Sequence, residues 1–272
     1  MLNLRVRLLC AVGLITVMGC AAESAASAAS ADAALAAAVA SPTRSPSAVA
    51  RDKVRHPVEE LTFFGLTPKM SVVELWPGGG YWTEILAPYL ASSGHYIIAL
   101  PPSGSAEGDT QAARLKARLG AQNSGHFQET VLGAGHFEIA PPGSADLVLT
   151  FRNLHNWMDD GYADQALAAC FTALKPGGIL GIEEHRGRND VPQDPKAKNG
   201  YVRQDYAIAL AKKAGFILLG SSEINANPRD TKDWVDGVWT LPPSLSQGEK
   251  DRAKYIAVGE ADNFVLKFQK PH

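Results

Sequence analysis

Two stretches of this 272-residue sequence end in side chains that can exchange protons. His155 comes shortly after one apolar run, and Glu183, Glu184 and His185 close another. Histidine titrates near neutral pH, and a neighbouring carboxylate raises its basicity. We therefore expect His155 and His185 to face one cleft as catalytic groups, with Glu184 as an alternative base. The alternative that remains open is that these side chains only cap loops or bond neighbouring backbone.

A glycine-rich turn, Trp76-Pro77-Gly78-Gly79-Gly80, follows a third apolar run that contains Glu74. Successive glycines let a ligand approach the main chain, and the start of a helix behind them offers free N–H donors. A dinucleotide fingerprint requires a small residue where Thr83 stands, and a P-loop requires Lys and Ser or Thr where Tyr81-Trp82 stand. The turn therefore indicates a nucleotide-type site that lacks both of these phosphate-binding patterns.

These residues need a sheet whose strands end side by side. Apolar runs alternate with helical patterns, which predicts a parallel sheet with helices on both faces. The predicted strands are Ser71 to Trp76, His95 to Leu100, Phe127 to Leu132, Ala145 to Phe151, Gly178 to Glu184, Phe216 to Ser222 and Asn263 to Gln269. The predicted helices are Tyr81 to Leu90, Thr110 to Leu119, Tyr162 to Leu174, Gln204 to Ala214 and one that begins with a capping box at Ser246 to Glu249.

Three motifs carry a resemblance to a known family. Glu74 to Gly80 resembles the E/D-x-G-x-G-x-G loop of class I S-adenosylmethionine-dependent methyltransferases. Ala145 to Trp157 resembles their fourth-strand motif, D-L-V with an N-x-x-H-type tail, and Ala173 to Leu180 is close to their L-K-P-G-G-x-L turn into the fifth strand. The mature domain also looks like a group of exported bacterial proteins described as predicted methyltransferases.

The resemblance implies an α/β fold, a Rossmann-like seven-stranded methyltransferase sheet with helices on both faces and an insertion before the last strand. It implies S-adenosylmethionine as cofactor and methyl transfer to a small-molecule acceptor. The cofactor-binding residues that it implies are Glu74, Trp76, Pro77, Gly78, Gly79, Gly80 and Asn153. Asn153 is also an ordinary turn residue after a strand. A base is needed only where the acceptor carries a proton.

Two positions depart from the family pattern. Its first loop glycine is Trp76 here, a ring that would narrow the cofactor site or stack on the ligand. Its second strand ends in an acid that binds the ribose hydroxyls, whereas Ala99-Leu100-Pro101 supplies none. An alternative function therefore stays open: a non-catalytic ligand- or partner-binding module on a methyltransferase scaffold in the cell envelope.

The N-terminus is typical of an exported protein. Residues 1–20 carry Arg5 and Arg7 before an apolar stretch, the layout of a signal peptide. Val17-Met18-Gly19-Cys20 resembles a lipobox, which predicts a lipid anchor at Cys20. We expect a membrane-anchored lipoprotein that faces the periplasm. The alternative is cleavage near Ala26-Ser27-Ala28, which would give a soluble periplasmic protein.

The rest of the chain divides by composition. Residues 21–50 are almost entirely Ala, Ser and Pro, which predicts a tether, and residues 51–272 form the domain, with 223–262 as a lid-like insertion. Cys170 is the one cysteine left for that domain, so we expect it in the core and without a disulfide.

The charged residues exclude one class of partner and favour no metal. The sequence has 26 basic and 28 acidic residues without a Lys/Arg stripe, which argues against nucleic acid. It shows neither a two-histidine zinc spacing nor an Asp-rich cluster, so no metal site is predicted.

Overall fold

The computed structural model describes residues 33–104, 106–122 and 127–272. The predicted signal peptide lies outside the described residues, as does the first part of the predicted tether. The strands are β1 Ser71–Leu75, β2 His95–Leu100, β3 Phe127–Val131, β4 Ala145–Phe151, β5 Leu174–His185, β6 Ile217–Ser222 and β7 Asn263–Gln269. All seven predicted strands are present, and three of them have the predicted bounds.

The strands form one seven-stranded sheet in the order β3-β2-β1-β4-β5-β7-β6. Neighbours from β3 to β5 pair in parallel, and β7 runs antiparallel to both β5 and β6. The order of successive strands reverses between β1 and β4, because β2 and β3 lie on one side of β1 and β4 lies on the other. Ligands of open α/β sheets bind beyond the carboxyl ends of the strands at such a switch point. The predicted Rossmann-like fold class is confirmed.

Helices cover both faces of the sheet. They are α1 at residues 33–39, α2 Pro46–Val49, α3 Asp52–Arg55, α4 Pro57–Phe64, α5 Thr83–Leu90, α6 Ala106–Gln122, α7 Leu154–Asp160, α8 Ala163–Ala173, α9 Gln204–Lys213 and α10 Arg252–Val258. Because successive strand side chains alternate between faces, Val72 packs with α1, α4 and α5, and Val73 packs with α7, α8 and α9. Cys170 is fully buried, as expected of a core residue.

The N-terminal segment corrects one sequence prediction. Residues 33–50 were expected to be tether, but they fold onto the sheet face that carries α4 and α5. Leu35 is 1% exposed within that core, and Arg44 pairs with Asp52 through two hydrogen bonds of 2.7 and 2.8 Å. The backbone N–H of Ser45 donates to Glu84 of α5 at 3.0 Å. The folded domain therefore begins by residue 33 and not at residue 51.

The insertion at 223–262 has a small apolar cluster of its own. Val238, Leu241 and Tyr255 pack there with Tyr201. The buried carboxylate of Asp230 anchors it by accepting hydrogen bonds from the Tyr201 hydroxyl, the Trp234 indole and the Asp262 backbone, at 2.7 to 2.9 Å.

The predicted capping box is wrong. The helix in the insertion begins at Arg252, and Ser246 donates instead to Asp236 at 2.6 Å. Within the described part of the chain, every helix is too short or too polar to cross a bilayer.

Candidate active site

A cleft of about 510 Å³ lies beyond the carboxyl ends of β1, β4 and β5. The glycine turn forms its floor, and the start of α7 and the end of β5 form one side. Segments outside the sheet close the other sides: residues of α2 and α3, and Trp239, Pro242, Pro243 and Glu260 of the insertion. The ends of the sheet strands thus form one part of the cavity wall, and the N-terminal segment and the insertion form the rest.

The glycine turn leaves room for a ligand against its backbone. Gly78 and Gly80 have φ values of +57° and +78°, a conformation that favours glycine. A Cβ atom built on Gly78 or Gly79 would meet no atom within 4 Å, so both face open space. The Gly80 N–H donates to the Pro77 carbonyl at 2.9 Å, which closes the turn.

Glu74 lies at the end of β1 with no exposed surface. Its Oε2 accepts hydrogen bonds from Thr83, at 2.7 Å, and from Tyr96, whereas its Oε1 has no partner among the described residues. Burial raises the pKa of Glu74 to about 7, against the smaller opposing effect of the Tyr96 and Thr83 hydrogen bonds. One buried carboxylate oxygen is therefore left for a cationic or N–H donor in the cleft.

Trp76 adopts a left-handed backbone conformation, with φ at +47°, and is 8% exposed. Its indole N–H donates to the carbonyl of Leu132 at 2.9 Å, and its ring meets Trp157 edge-on at 6.2 Å. Leu132 follows β3, the second strand from β1, so the indole crosses the end of β2. Among the described residues, those lining the cleft include none from β2 or β3.

Asn153 and Trp82 hold neighbouring parts of the site together, and a cofactor contact of Asn153 stays a prediction. The Asn153 amide donates to the Leu75 carbonyl at 3.0 Å and to the Trp76 carbonyl at 3.3 Å, which ties the glycine turn to the end of β4. Trp82 stacks on Phe151 with ring centres 4.2 Å apart. This stacking packs the residue before α5 against the end of β4.

His155 and Glu184 form a hydrogen-bonded pair. Nδ1 of His155 lies 2.9 Å from Oε1 of Glu184, and the backbone N–H groups of His155 and His185 also donate to this carboxylate. Burial alone would raise the pKa of Glu184, but the charge and hydrogen bond of His155, with those of His185, hold it below its ordinary value.

An ionised carboxylate can only accept, so Nδ1 of His155 carries a proton, and in the neutral form of the ring Nε2 is the acceptor. Glu184 itself is fully buried with both oxygens occupied. This geometry orients the His155 ring, and the alternative base role expected from the sequence stays a prediction.

His185 joins this pair from the end of β5. Its ring centre lies 5.4 Å from that of His155, and its Nδ1 lies 2.7 Å from the Asn263 amide oxygen. Burial lowers the pKa of His185 well below its ordinary value, more than the Glu184 carboxylate raises it. The ring is therefore neutral near pH 7, with Nε2 as an acceptor.

No metal site was predicted from the sequence, but three neighbouring side chains form a group that could bind a metal ion. Potential ligand atoms of His155, Glu184 and His185 lie within 4.8 Å of one another. The Glu184 oxygens, however, already accept three N–H groups, so this carboxylate orients His155 and would have to give up those bonds to bind an ion. Helix α7 supplies His155 and strand β5 supplies Glu184 and His185, so no local metal-ligand spacing marks this grouping in the sequence.

Several charged residues of the cleft were not foreseen from the sequence. They include four that lie together, Arg51, Arg55, Arg152 and Glu260. Arg152 directly follows β4, and that position beyond a buried strand was a signal that could have found it. The other three lie in segments without a strand-end pattern.

Comparisons with known proteins show the fold. No family model matches the chain, and no curated protein matches its sequence. An S-adenosylmethionine-dependent methyltransferase from Aquifex aeolicus is similar in structure, with a TM-score of 0.52 and 17% identity over 83% of this chain and 93% of that one. Haemonchus contortus phosphoethanolamine N-methyltransferase 2, solved with S-adenosyl-L-methionine, is also similar in structure. It has a TM-score of 0.54 and 18% identity over 80% of this chain and 53% of its own.

A protein with another reaction shares this architecture. The [4+2]-cyclase SpnF has a TM-score of 0.52 and 17% identity over 79% of this chain and 82% of its own. The chain therefore has the Rossmann-like methyltransferase fold, and the reaction must be argued from the site, since a fold hosts many functions.

Proposed function

We propose that this protein transfers a methyl group from S-adenosylmethionine to a small-molecule acceptor. The observation that carries the proposal is one cleft that holds both halves of the required site. The free Oε1 of Glu74 and the open backbone at Gly78 and Gly79 lie on one side, and the oriented ring of His155 lies on another. The fold neighbours that are named methyltransferases support the same reading.

The residues present fit the amino-acid end of this cofactor. Glu74 offers a buried carboxylate oxygen to an ammonium group, and the side-chain-free turn lets a ligand lie against the main chain. The cofactor would supply a methyl group on a positively charged sulfur, a good leaving group for in-line displacement. No phosphate has to be neutralised, in keeping with a turn that lacks lysine and arginine.

The nucleoside end fits less directly. Leu100 ends β2 without an acceptor for ribose hydroxyls, and the Trp76 indole crosses that strand end. We infer that the indole must turn aside for a nucleoside to lie along β2. The same two features favour the alternative function, a binding module for a ligand other than S-adenosylmethionine, and the titration below separates the two.

The acid–base groups suit an acceptor that carries a proton. Nε2 of His155 takes that proton, and the Glu184 carboxylate at Nδ1 stabilises the imidazolium that results. His185 stays neutral, and its Nε2 accepts a hydrogen bond from the molecule to be methylated. This bond helps to align that molecule with the methyl group. The Trp239 ring, 5.9 Å from that of His155, adds an apolar wall from the insertion.

Calorimetry with the purified full-length protein tests the cofactor. We expect S-adenosylmethionine to bind, Gly79→Trp to abolish binding by filling the open turn, and Trp76→Gly to strengthen it. His155→Gln should leave cofactor affinity within about twofold and lower methyl transfer to any acceptor found by radiolabel screening by about 100-fold or more. Absence of binding at about 1 mM cofactor, in both the wild type and Trp76→Gly, would refute the proposal and leave the binding module.

A further inference from the structure

Three guanidinium groups converge on one carboxylate at the side of the cleft. Arg51 makes two hydrogen bonds to Glu260, at 2.6 and 2.5 Å, and Arg152 makes one at 3.3 Å. The Nε atom of Arg55 lies 3.7 Å from the same Glu260 oxygen, beyond hydrogen-bond distance. All four residues line the cavity.

The group carries an excess of positive charge. Among the described residues, Glu260 is the carboxylate that lies within 3.7 Å of all three arginines. Glu183 lies 3.8 Å from Arg152, but burial raises the pKa of Glu183 by more than the Arg152 charge lowers it. The raised pKa disfavours the ionised form of Glu183, which reduces the negative charge near Arg152. The positive potential of three arginines is therefore only partly compensated within the described cleft.

Of the three arginines, Arg55 is the one whose buried Nε lacks a hydrogen-bond partner among the described residues. It is 3% exposed, and its guanidinium lies 4.4 Å from the Tyr81 ring centre. A buried guanidinium N–H without a hydrogen bond is costly, because it has lost its hydration. The ring supplies only part of the compensation. An oxyanion in the cleft would supply the rest.

Arg152 brings this charge next to the proton acceptor. It separates β4 from α7 with a left-handed φ of +61°, a conformation that costs an arginine free energy and is found most often at functional sites. Its backbone N–H donates to the Glu183 carbonyl at 2.7 Å, which holds the junction against β5. His155 follows three residues later, at the start of α7.

We propose that Arg51, Arg55 and Arg152 bind a carboxylate or phosphate group of the methyl acceptor. This inference rests on the proposed function and adds the substrate class, an anionic small molecule. Arg51 and Arg55 come from the N-terminal segment and Glu260 comes from the insertion, so the site is built largely outside the sheet that presents Glu74 and the glycine turn to the cofactor. Guanidinium groups match carboxylate and phosphate oxygens through paired N–H donors.

Inorganic phosphate is the probe for this site. It is titrated calorimetrically, at constant ionic strength, into the full-length protein saturated with S-adenosylhomocysteine, so that the cofactor's own carboxylate already occupies its position. We expect one phosphate to bind, and Arg55→Gln to weaken it about tenfold or more. Arg188→Gln, which removes an exposed arginine paired with Asp190, is the control and should change nothing.

The controls separate this inference from the function on which it rests. Arg55→Gln should leave the affinity for S-adenosylhomocysteine within about twofold. Arg51→Gln, on a side chain that is 25% exposed, repeats the test if the Arg55 variant does not fold. Failure of S-adenosylhomocysteine to bind refutes the methyltransferase, whereas phosphate binding to the free protein is still measured and still reports on the arginines.

Two results would overturn the anionic acceptor. The first is absence of phosphate binding at about 10 mM, with or without S-adenosylhomocysteine. The second is phosphate binding only to the free protein, together with weakened S-adenosylhomocysteine and unchanged 5′-methylthioadenosine, which lacks the amino-acid end. That second pattern would assign the arginines to the cofactor's carboxylate.

Discussion

Glu74 is the residue whose protonation should control the cleft. Its carboxyl group has a pKa of about 7 because burial disfavours the charged form. A cationic ligand group at the free Oε1 needs that carboxylate ionised. In the unliganded protein the raised pKa also has a cost: stability from this group is fully present below about pH 4.5 and is lost as pH rises through 7.

Cofactor affinity should therefore depend on pH. Between pH 7.5 and pH 6 the ionised fraction of Glu74 falls severalfold, so we expect S-adenosylhomocysteine to bind about five- to tenfold more weakly at pH 6. Calorimetry at the two pH values measures this. Glu74→Gln should remove the dependence, and 5′-methylthioadenosine, which has no ammonium group, should not show it. Equal pH dependence for both ligands would contradict the role of Glu74.

The site residues that were predicted from the sequence lie at or just beyond strand ends, whereas the residues that were missed lie outside the sheet or depend on contacts between distant segments. His155 and His185 were predicted to face one cleft, and the structure brings their rings to 5.4 Å because β4 and β5 are neighbours. Strand ends are visible in a sequence as the close of an apolar run. Arg51 and Arg55 precede β1 and meet Glu260 across more than 200 residues of chain, a contact that only tertiary packing creates.

At the scale of elements, strands were predictable and the N-terminal helices were not. Buried parallel strands appear as continuous apolar runs, which explains the agreement for β1, β2 and β4. Residues 33–50 are rich in Ala, Ser and Pro, and composition alone suggested too little apolar surface to order them. The structure orders them with one large side chain, Leu35, and with the Arg44 to Asp52 pair. For a segment of this composition, a few such contacts decide whether it stays a tether or packs on the domain, and composition alone does not reveal them.

This segment can be tested through its buried leucine. We expect Leu35→Ala to lower the free energy of unfolding by about 2 to 5 kcal/mol, because it leaves a cavity in the core under α4 and α5. Val49→Ala is the matched control: Val49 lies in the same segment, is 47% exposed and should cost under about 0.5 kcal/mol. Urea denaturation measures both variants. Equal, small effects would show that residues 33–50 are not docked in solution.

At the scale of the whole molecule, the cleft joins parts of the chain that are remote in sequence. The sheet supplies the glycine turn and the two histidines, the N-terminal helices supply Arg51 and Arg55, and the insertion supplies Trp239 and Glu260. In the proposed function, the fold shared with other proteins supplies the cofactor side, and the segments outside the sheet supply the acceptor side.

The docked N-terminus also changes the expected geometry at a membrane. We propose, from the signal and lipobox-like residues, that the mature protein is an exported lipoprotein anchored at Cys20. The domain begins by residue 33, so at most 12 residues, 21–32, separate it from the anchor. The distance from Cys20 to residue 33 is therefore at most about 47 Å. The cleft would therefore work close to the bilayer surface, within reach of acceptors held there.

Cell fractionation tests the anchor. We expect the wild-type protein to stay with membranes after a high-salt wash and to dissolve in detergent, because an acyl chain holds it by burial and not by charge. Cys20→Ala should move it to the soluble periplasmic fraction. Cys10→Ala, within the predicted signal peptide, is the control and should leave it with the membranes. If Cys20→Ala is retained as firmly as the wild type, the lipobox interpretation is wrong, and the 12-residue limit on the distance from the bilayer no longer applies.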